Sequence, residues 1–354
     1  MTERRTKKYG NDPRQELTER EASILEAVII NYIASADPVG SRTLARGTDL
    51  GLSPATIRNT MSDLEEKGYL YQPFASAGRV PTDKAYRYHV DNIKRSRREA
   101  PKTMLKALKL IPEDPAVERV LHRAAEALSV ITHELGFGIA PLVDEGVLQG
   151  VDLIRVSSER IMLILTIGGG LVKTIFIELD SIVDDTRLEK LAARLKERLI
   201  GLTLSEIRRT AGARLRDALE DENDPLNIFV QSADTLFELE ERETGLVFGE
   251  TSSLAGQPEF KDQINLRSLI TLTDKKEPLL ELMKKRASGE GLHITIGGEN
   301  QLSELANFTL ITDNYRIGKM RGIIGVIGPT RMSYSRVISV VEYTSRLLSE
   351  ILNK

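Results

Sequence analysis

Arg58 and Asn59 stand side by side in the run SPATIRNTMSDLEEKGYL at residues 53–70, with Thr56 and Ser62 to either side. These side chains can read base edges in a major groove: Arg pairs bidentately with guanine, Asn with adenine, and Thr packs its methyl on that of thymine. Such chemistry needs a helix that carries these residues away from its apolar face, and the run supplies one. Ser53 predicts an N-cap, and Pro54 the first helical position, where a missing N–H costs nothing. Ile57, Met61 and Leu64 recur at i, i+4 and i+7 as one apolar stripe, leaving Thr56, Arg58, Asn59 and Ser62 largely on the remaining surface. Gly68 then ends the helix. One amphipathic helix with Arg and Asn outside is common, so the flanking elements decide.

Upstream, Thr18 and Glu21 form a capping box, and Ile24, Leu25, Val28, Ile29 and Tyr32 make a core face that runs until Asp37-Pro38. Gly40 and Ser41 start a short helix over 42–46, and a turn from Gly47 to Gly51 leads to the helix that follows. Two helices around a glycine-bearing turn predict a helix-turn-helix. The candidate DNA-contacting residues are therefore Ser41, Arg42 and Thr43 on the short helix and Ser53, Thr56, Arg58, Asn59 and Ser62 on the next. GYLYQPFASAGRVPT at 68–82 reads as strand, loop and returning strand, a wing with Gly78 and Arg79 near its tip. From there Arg79 would reach a minor groove. Residues 79–98 hold seven basic side chains against two acidic.

A chain of 354 residues suffices for two or three domains, and 41% hydrophobic with 29% charged residues is an ordinary globular balance. The net charge is -3, and residues 1–100 carry 17 Lys and Arg against 14 Asp and Glu, a weak footprint for a nucleic-acid binder. With no cysteine, disulfides, thiolate zinc sites and cysteine nucleophiles are excluded, in keeping with a reducing cytoplasm. The longest aliphatic stretch, 161–167, is too short to span a bilayer, and the polar start lacks an apolar signal core, so a cytoplasmic protein without membrane contact is expected. His89, His122, His133 and His293 show no metal spacing, and no nucleophile motif occurs. Neither catalytic residues, nor a metal, nor a cofactor is expected. The glycine run at 168–170 lies between two strands with no Gly-Lys-Ser/Thr after it, which predicts a hairpin rather than a phosphate loop.

VGSRTLA (39–45), GLSPATIRN (51–59), SAGRVPTDKAYR (76–87), QPEF (257–260), IGGEN (296–300) and GVIGPTRMSY (325–334) occur in an order, and over nearly the whole chain, that resembles the HrcA family of heat-inducible transcription repressors. The resemblance implies an α+β protein with an N-terminal winged helix-turn-helix domain, a GAF-like α/β domain and a dimerising domain inserted in the latter. It further implies a homodimeric repressor of class I heat-shock chaperone operons, of the grpE-dnaK-dnaJ and groELS type. Such a repressor binds the inverted repeat called CIRCE, with the chaperonin GroEL as modulator. The alternative is a winged-helix regulator that responds to a small ligand in its GAF-like domain. The chain departs from the family pattern at Thr60, where Glu is common, at Phe74 and Ala75, where the wing often has His-Thr, at Ala85 for Gly and at Gly256 for Asn.

The expected organisation is a tail at 1–16, whose Arg4, Arg5, Lys7 and Lys8 could touch phosphates, a winged-helix domain at 17–100, a GAF-like domain at 101–183 and 290–354, and the insertion at 184–289. Within these, 101–115 reads as a linker with a short helix, 117–135 as a helix, and 151–156, 161–167 and 171–179 as strands. The segment 229–249 has no clear period, while strands return at 292–296, 308–312 and 322–327 before a last helix at 333–352. An inverted repeat calls for two modules about a two-fold axis. The leucine face Leu188, Leu191, Leu195 and Leu199 is the first candidate for that interface, against the stronger expectation that it packs inside its own subunit.

Overall fold

The computed structural model describes residues 17–93, 117–141, 145–179, 184–219, 224, 226–231, 245–287, 289 and 291–353. The expected tail at 1–16, the linker at 101–115 and the end of the basic run at 94–98 lie outside them. The chain divides into two units. The first holds residues up to 95 together with Ile296–Gly298 and Thr330–Ser335, and the second holds the rest.

In the first unit, α1 (Glu19–Ser35), α2 (Ser41–Gly47) and α3 (Pro54–Glu66) precede a two-stranded antiparallel hairpin, β1 (Leu70–Tyr71) and β2 (Val80–Pro81), and then α4 (Asp83–Asn92). Ile24, Leu25, Val28 and Ile29 of α1, Leu44 of α2 and Ile57 and Leu64 of α3 are fully buried in its core. The capping box forms: Thr18 N donates to Glu21 Oε2 at 2.9 Å and Glu21 N to Thr18 Oγ1 at 3.3 Å. Lys67 Nζ also reaches the Glu21 carboxylate at 2.8 Å. That bond and the Thr18 donors hold Glu21 below the usual carboxylate range, against the opposing effect of burial.

Val39 and Arg79 exchange two backbone hydrogen bonds of 2.9 Å, an isolated bridge that ties the segment before α2 to the base of the hairpin. Gly78 permits this: a Cβ there would lie 2.4 Å from the carbonyl carbon and oxygen of Val39. Two segments from far down the sequence complete the unit. Gly298 N donates to Asp83 Oδ2 at 3.0 Å, and Arg331 Nη1 donates to Ile33 O at 2.8 Å. The ring of Tyr334 lies 5.8 Å from that of Tyr86, and its hydroxyl donates to Thr330 O at 2.7 Å. IGGEN and GPTRMSY, expected within the 290–354 part of another domain, thus each give residues to the unit built from α1–α4.

The second unit contains two separate sheets. The larger has the order β7-β3-β10-β9-β8 from β3 (Leu135–Ile139), β7 (Leu246–Phe248), β8 (His293–Ile296), β9 (Phe308–Ile317) and β10 (Met320–Pro329), with every pairing of β3, β7, β9 and β10 antiparallel. Neither β3 nor β7 is expected from the sequence. In LGFGI, glycine disguises a central strand: a Cβ on Gly136 would lie 2.1 Å from Ala125 O, so backbone meets backbone where α5 (Val117–Thr132) crosses β3. His133 falls beyond the end of α5 with φ 61°. QPEF is a latch on this region. Gln257 Nε2 donates to His133 O at 2.7 Å and to Glu134 Oε2 at 3.2 Å, and Phe260 stacks 5.9 Å from Phe308. Asn300 of IGGEN donates to Leu305 O and Phe308 O and accepts from Thr295 Oγ1. Arg286 donates to Thr295 and Thr312, and burial lowers its pKa to about 10.

The smaller sheet is a meander of β4 (Leu148–Arg155), β5 (Arg160–Ile167) and β6 (Leu171–Glu178) in the order β4-β5-β6. Gly169 and Gly170 take φ of 85° and 76° in the β5–β6 hairpin, as the glycine run predicts. Among the described residues these strands pair with no strand of the larger sheet, although the expected boundary at 183 assigns them to the same domain as β8–β10. Tight hairpins make sequential pairing the short route, and hydrophobic period does not name the partner strand. A helix, α6 (Asp185–Leu199), capped by Asp184, packs on β4. The helices α7 (Leu204–Arg216) and α8 (Leu226–Gln231) follow. Leu188, Leu191, Leu195 and Leu199 are all buried, so the leucine face packs within its own subunit. Three further helices, α9 (Ser252–Ala255), α10 (Gln263–Asp274) and α11 (Lys276–Ala287), precede β8, and α12 (Tyr334–Ile351) closes the chain. Among the described residues no helix is long and apolar enough to cross a membrane.

Candidate nucleic-acid interface

Ser53 Oγ accepts the Thr56 amide at 3.1 Å and lies 2.9 Å from Thr56 Oγ1, with Pro54 in the first turn. Two of the candidates therefore cap α3, and cap it together. Ile57, Met61 and Leu64 are buried as expected, and Thr60 joins them, its hydroxyl turned back to Thr56 O at 3.2 Å. The departure at Thr60 thus changes the core side of α3. Gly68 follows the helix with φ 78°, its amide bonded to Glu65 O at 3.0 Å.

Arg58 and Asn59 are exposed, and among the described residues their side chains have no hydrogen-bond or ion-pair partner. Ser62, one turn on, is half-buried. On α2, which packs against α3, Arg42 and Thr43 are exposed and Ser41 is half-buried at the first helical position. Neither helix has an acidic residue in its first turn, so the positive ends of both dipoles are uncompensated. Phosphate oxygens are the groups such ends attract. Arg58 and Asn59 are thus fixed on a rigid helix with no side-chain hydrogen bond or ion pair to break before they are used.

Arg79 lies elsewhere. Its guanidinium is 2.8 Å from Glu65 Oε2 and only 15% exposed, at the base of the hairpin beside Val39. The placement near the tip fails because β2 is extended by the Val39 pairing, which draws Arg79 back into the sheet. The described part of the basic run is also largely engaged. Lys84 sits 4.3 Å over the Tyr69 ring and donates to Lys67 O, and Arg87 pairs with Asp91 at 3.3 Å. The tip is the uncharged segment Gln72–Ala77. Gln72 Nε2 donates to Ala75 O and Ala77 O, both at 2.9 Å, and Phe74 is 63% exposed. From the sequence Phe74 stands out only as a departure from the family pattern; the signal for it is a Pro-Phe pair where a turn normally carries small polar residues.

Residues 118–338 match the model of the HrcA protein C-terminal domain. The chain is 39% identical over 351 residues to the heat-inducible transcription repressor HrcA of Chlorobium phaeobacteroides (strain BS1), covering 96% of this chain and 99% of that protein. It is 36% identical over 342 residues to the repressor of the same name from Geobacter sulfurreducens, covering 95% and 98% respectively. A crystal structure described as that of a hypothetical protein has a TM-score of 0.59 at 25% identity, covering 96% of this chain and 99% of the other.

Proposed function

The chain belongs to the HrcA family of heat-inducible transcription repressors, and from that premise we propose that it represses chaperone operons by binding the CIRCE inverted repeat as a homodimer in the cytoplasm. On this reading α1–α4 and the hairpin form a winged helix-turn-helix, and α3 is its recognition helix. Arg58 and Asn59 read bases, while Arg42, Thr43 and the amino ends of α2 and α3 contact the backbone. The five-stranded sheet belongs to a GAF-like domain, and β4–β6 with α6–α8 form the insertion. No catalysis is assigned to the chain. The modulating role of GroEL rests on the family resemblance.

The observation that carries the reading is the pair of uncommitted side chains on the Ser53-capped helix. Asn59→Ala is expected to cost about 1–3 kcal/mol of specific binding and to relax discrimination at one base pair per half-site. Titration of wild type and variant against duplexes with single changes in the repeat measures both. Unchanged discrimination at every position would remove α3 from its role.

A dimer is supported by the face of the small sheet turned away from the buried side chains. Ile154, Met162 and Phe176 pair in one row across its three strands, and Ile154, Phe176 and Val172 are 46%, 52% and 60% exposed. Self-association through this row would cover it and set two recognition helices about a two-fold axis, as an inverted repeat requires.

A further inference from the structure

With Arg79 paired to Glu65, the hairpin tip has no cation to offer DNA, yet the tip is built with care. Its turn is closed by Ala77 N donating to Phe74 O at 2.8 Å, and Gln72 spends both amide hydrogens on the carbonyls of Ala75 and Ala77. Gly78, pressed on Val39, fixes where the turn leaves the sheet. The one large side chain this turn displays is Phe74. A single exposed apolar residue needs no explanation, but a pre-ordered, uncharged turn in the wing position, with an aromatic ring at its end, matches the requirement for an apolar wedge in a minor groove.

We infer that Phe74 is a DNA-contacting residue, a wedge that packs on deoxyribose and base edges of the minor groove beside the bases read by α3. This inference rests on the winged-helix reading of α1–α4. The contact releases no counterion, so it adds affinity that salt does not screen, and it favours easily unstacked pyrimidine–purine steps at the wing's position.

The chain has no tryptophan, so Phe74→Trp places a unique fluorophore at the tip. The probe is a labelled duplex carrying the CIRCE repeat, with a scrambled duplex as control. Phe74→Ala is expected to weaken binding to the repeat by about tenfold or more, the scale of burying one aromatic side chain, with an unchanged slope of log K against log salt. In Phe74→Trp, adding the repeat should quench the indole and shield it from acrylamide, while diluting the protein without DNA should do neither. Affinity within twofold of wild type for Phe74→Ala overturns the inference, as does indole emission blind to the duplex or dependent on protein concentration alone. If wild type separates repeat from scrambled duplex in those cases, α3 keeps its role and only Phe74 loses it. If wild type cannot separate them, both readings fall.

Discussion

Replacing Gly78 by Ala tests how the hairpin is held. The new Cβ would stand 2.4 Å from the carbonyl carbon and oxygen of Val39 and 2.7 Å from Pro38 C, all backbone atoms that no rotamer change can move. Reaching ordinary van der Waals contact requires the two strands to part by about 1 Å. The paired Val39–Arg79 bonds, both 2.9 Å, would then exceed hydrogen-bond range. Two such bonds at about 0.5–1.5 kcal/mol each give a loss of about 1–3 kcal/mol, and for a unit of this size a transition roughly 5–15 °C lower. Denaturation of the full chain measures the loss, and amide exchange at Val39 and Arg79 locates it. Gly47→Ala is the control, because nothing lies within 4 Å of its Cβ at the end of α2, and it should leave stability unchanged or raise it by up to about 1 kcal/mol. If Gly78→Ala matches Gly47→Ala in stability and Val39 keeps its protection, the close-approach argument is wrong.

Glu21 has a folded-state pKa below its ordinary value of 4.5, so its contribution is present above that value and is lost as pH falls through the folded one. The stability difference between wild type and Glu21→Gln should therefore shrink on acidification below about pH 5; a difference constant down to pH 3 would contradict the pairing with Lys67. Gly297 has φ 51° and a Cβ there would meet the Asp83 carboxylate at 2.1 Å, so Gly297→Ala is expected to cost about 1–3 kcal/mol. Asp83→Ala in the same chain should return part of that cost, and strict additivity in the double-mutant cycle would show that the two do not meet. In the small sheet, Phe176→Asp should yield a folded monomer in sedimentation, whereas Leu195→Ala should cost about 2–5 kcal/mol of stability. A dimer that survives Phe176→Asp at micromolar concentration excludes the exposed row as its interface.

Features written in local chemistry were legible. The Ser53 cap, the stripe of Ile57, Met61 and Leu64 and the exit at Gly68 depend on neighbours within one or two turns. So does the Thr18–Glu21 capping box at the start of α1. Features set by partners distant in sequence were not. Period two identifies β4, β5 and β6 as strands but says nothing of which sheet they enter, and Gly136 makes β3 look weak because the Ala125 backbone that needs the space is invisible from a distance. Arg79 sits off the expected tip for the same reason: Val39 and Glu65, both distant in sequence, draw it to the base of the hairpin.

The discontinuity of the first unit has a temporal side. Its helices leave the ribosome about 200 residues ahead of the glycines that meet Asp83 and of the Arg331 and Tyr334 side chains that meet Ile33 and Tyr86. At ~5–20 residues per second that interval is on the order of tens of seconds. During it a nascent chain carries Arg58 and Asn59 on a unit whose packing is unfinished, and a chain that stops early never finishes it. Operator occupancy would then report completed molecules rather than started ones, and a fragment ending near residue 95 would be a poor stand-in for the DNA-binding activity of the whole.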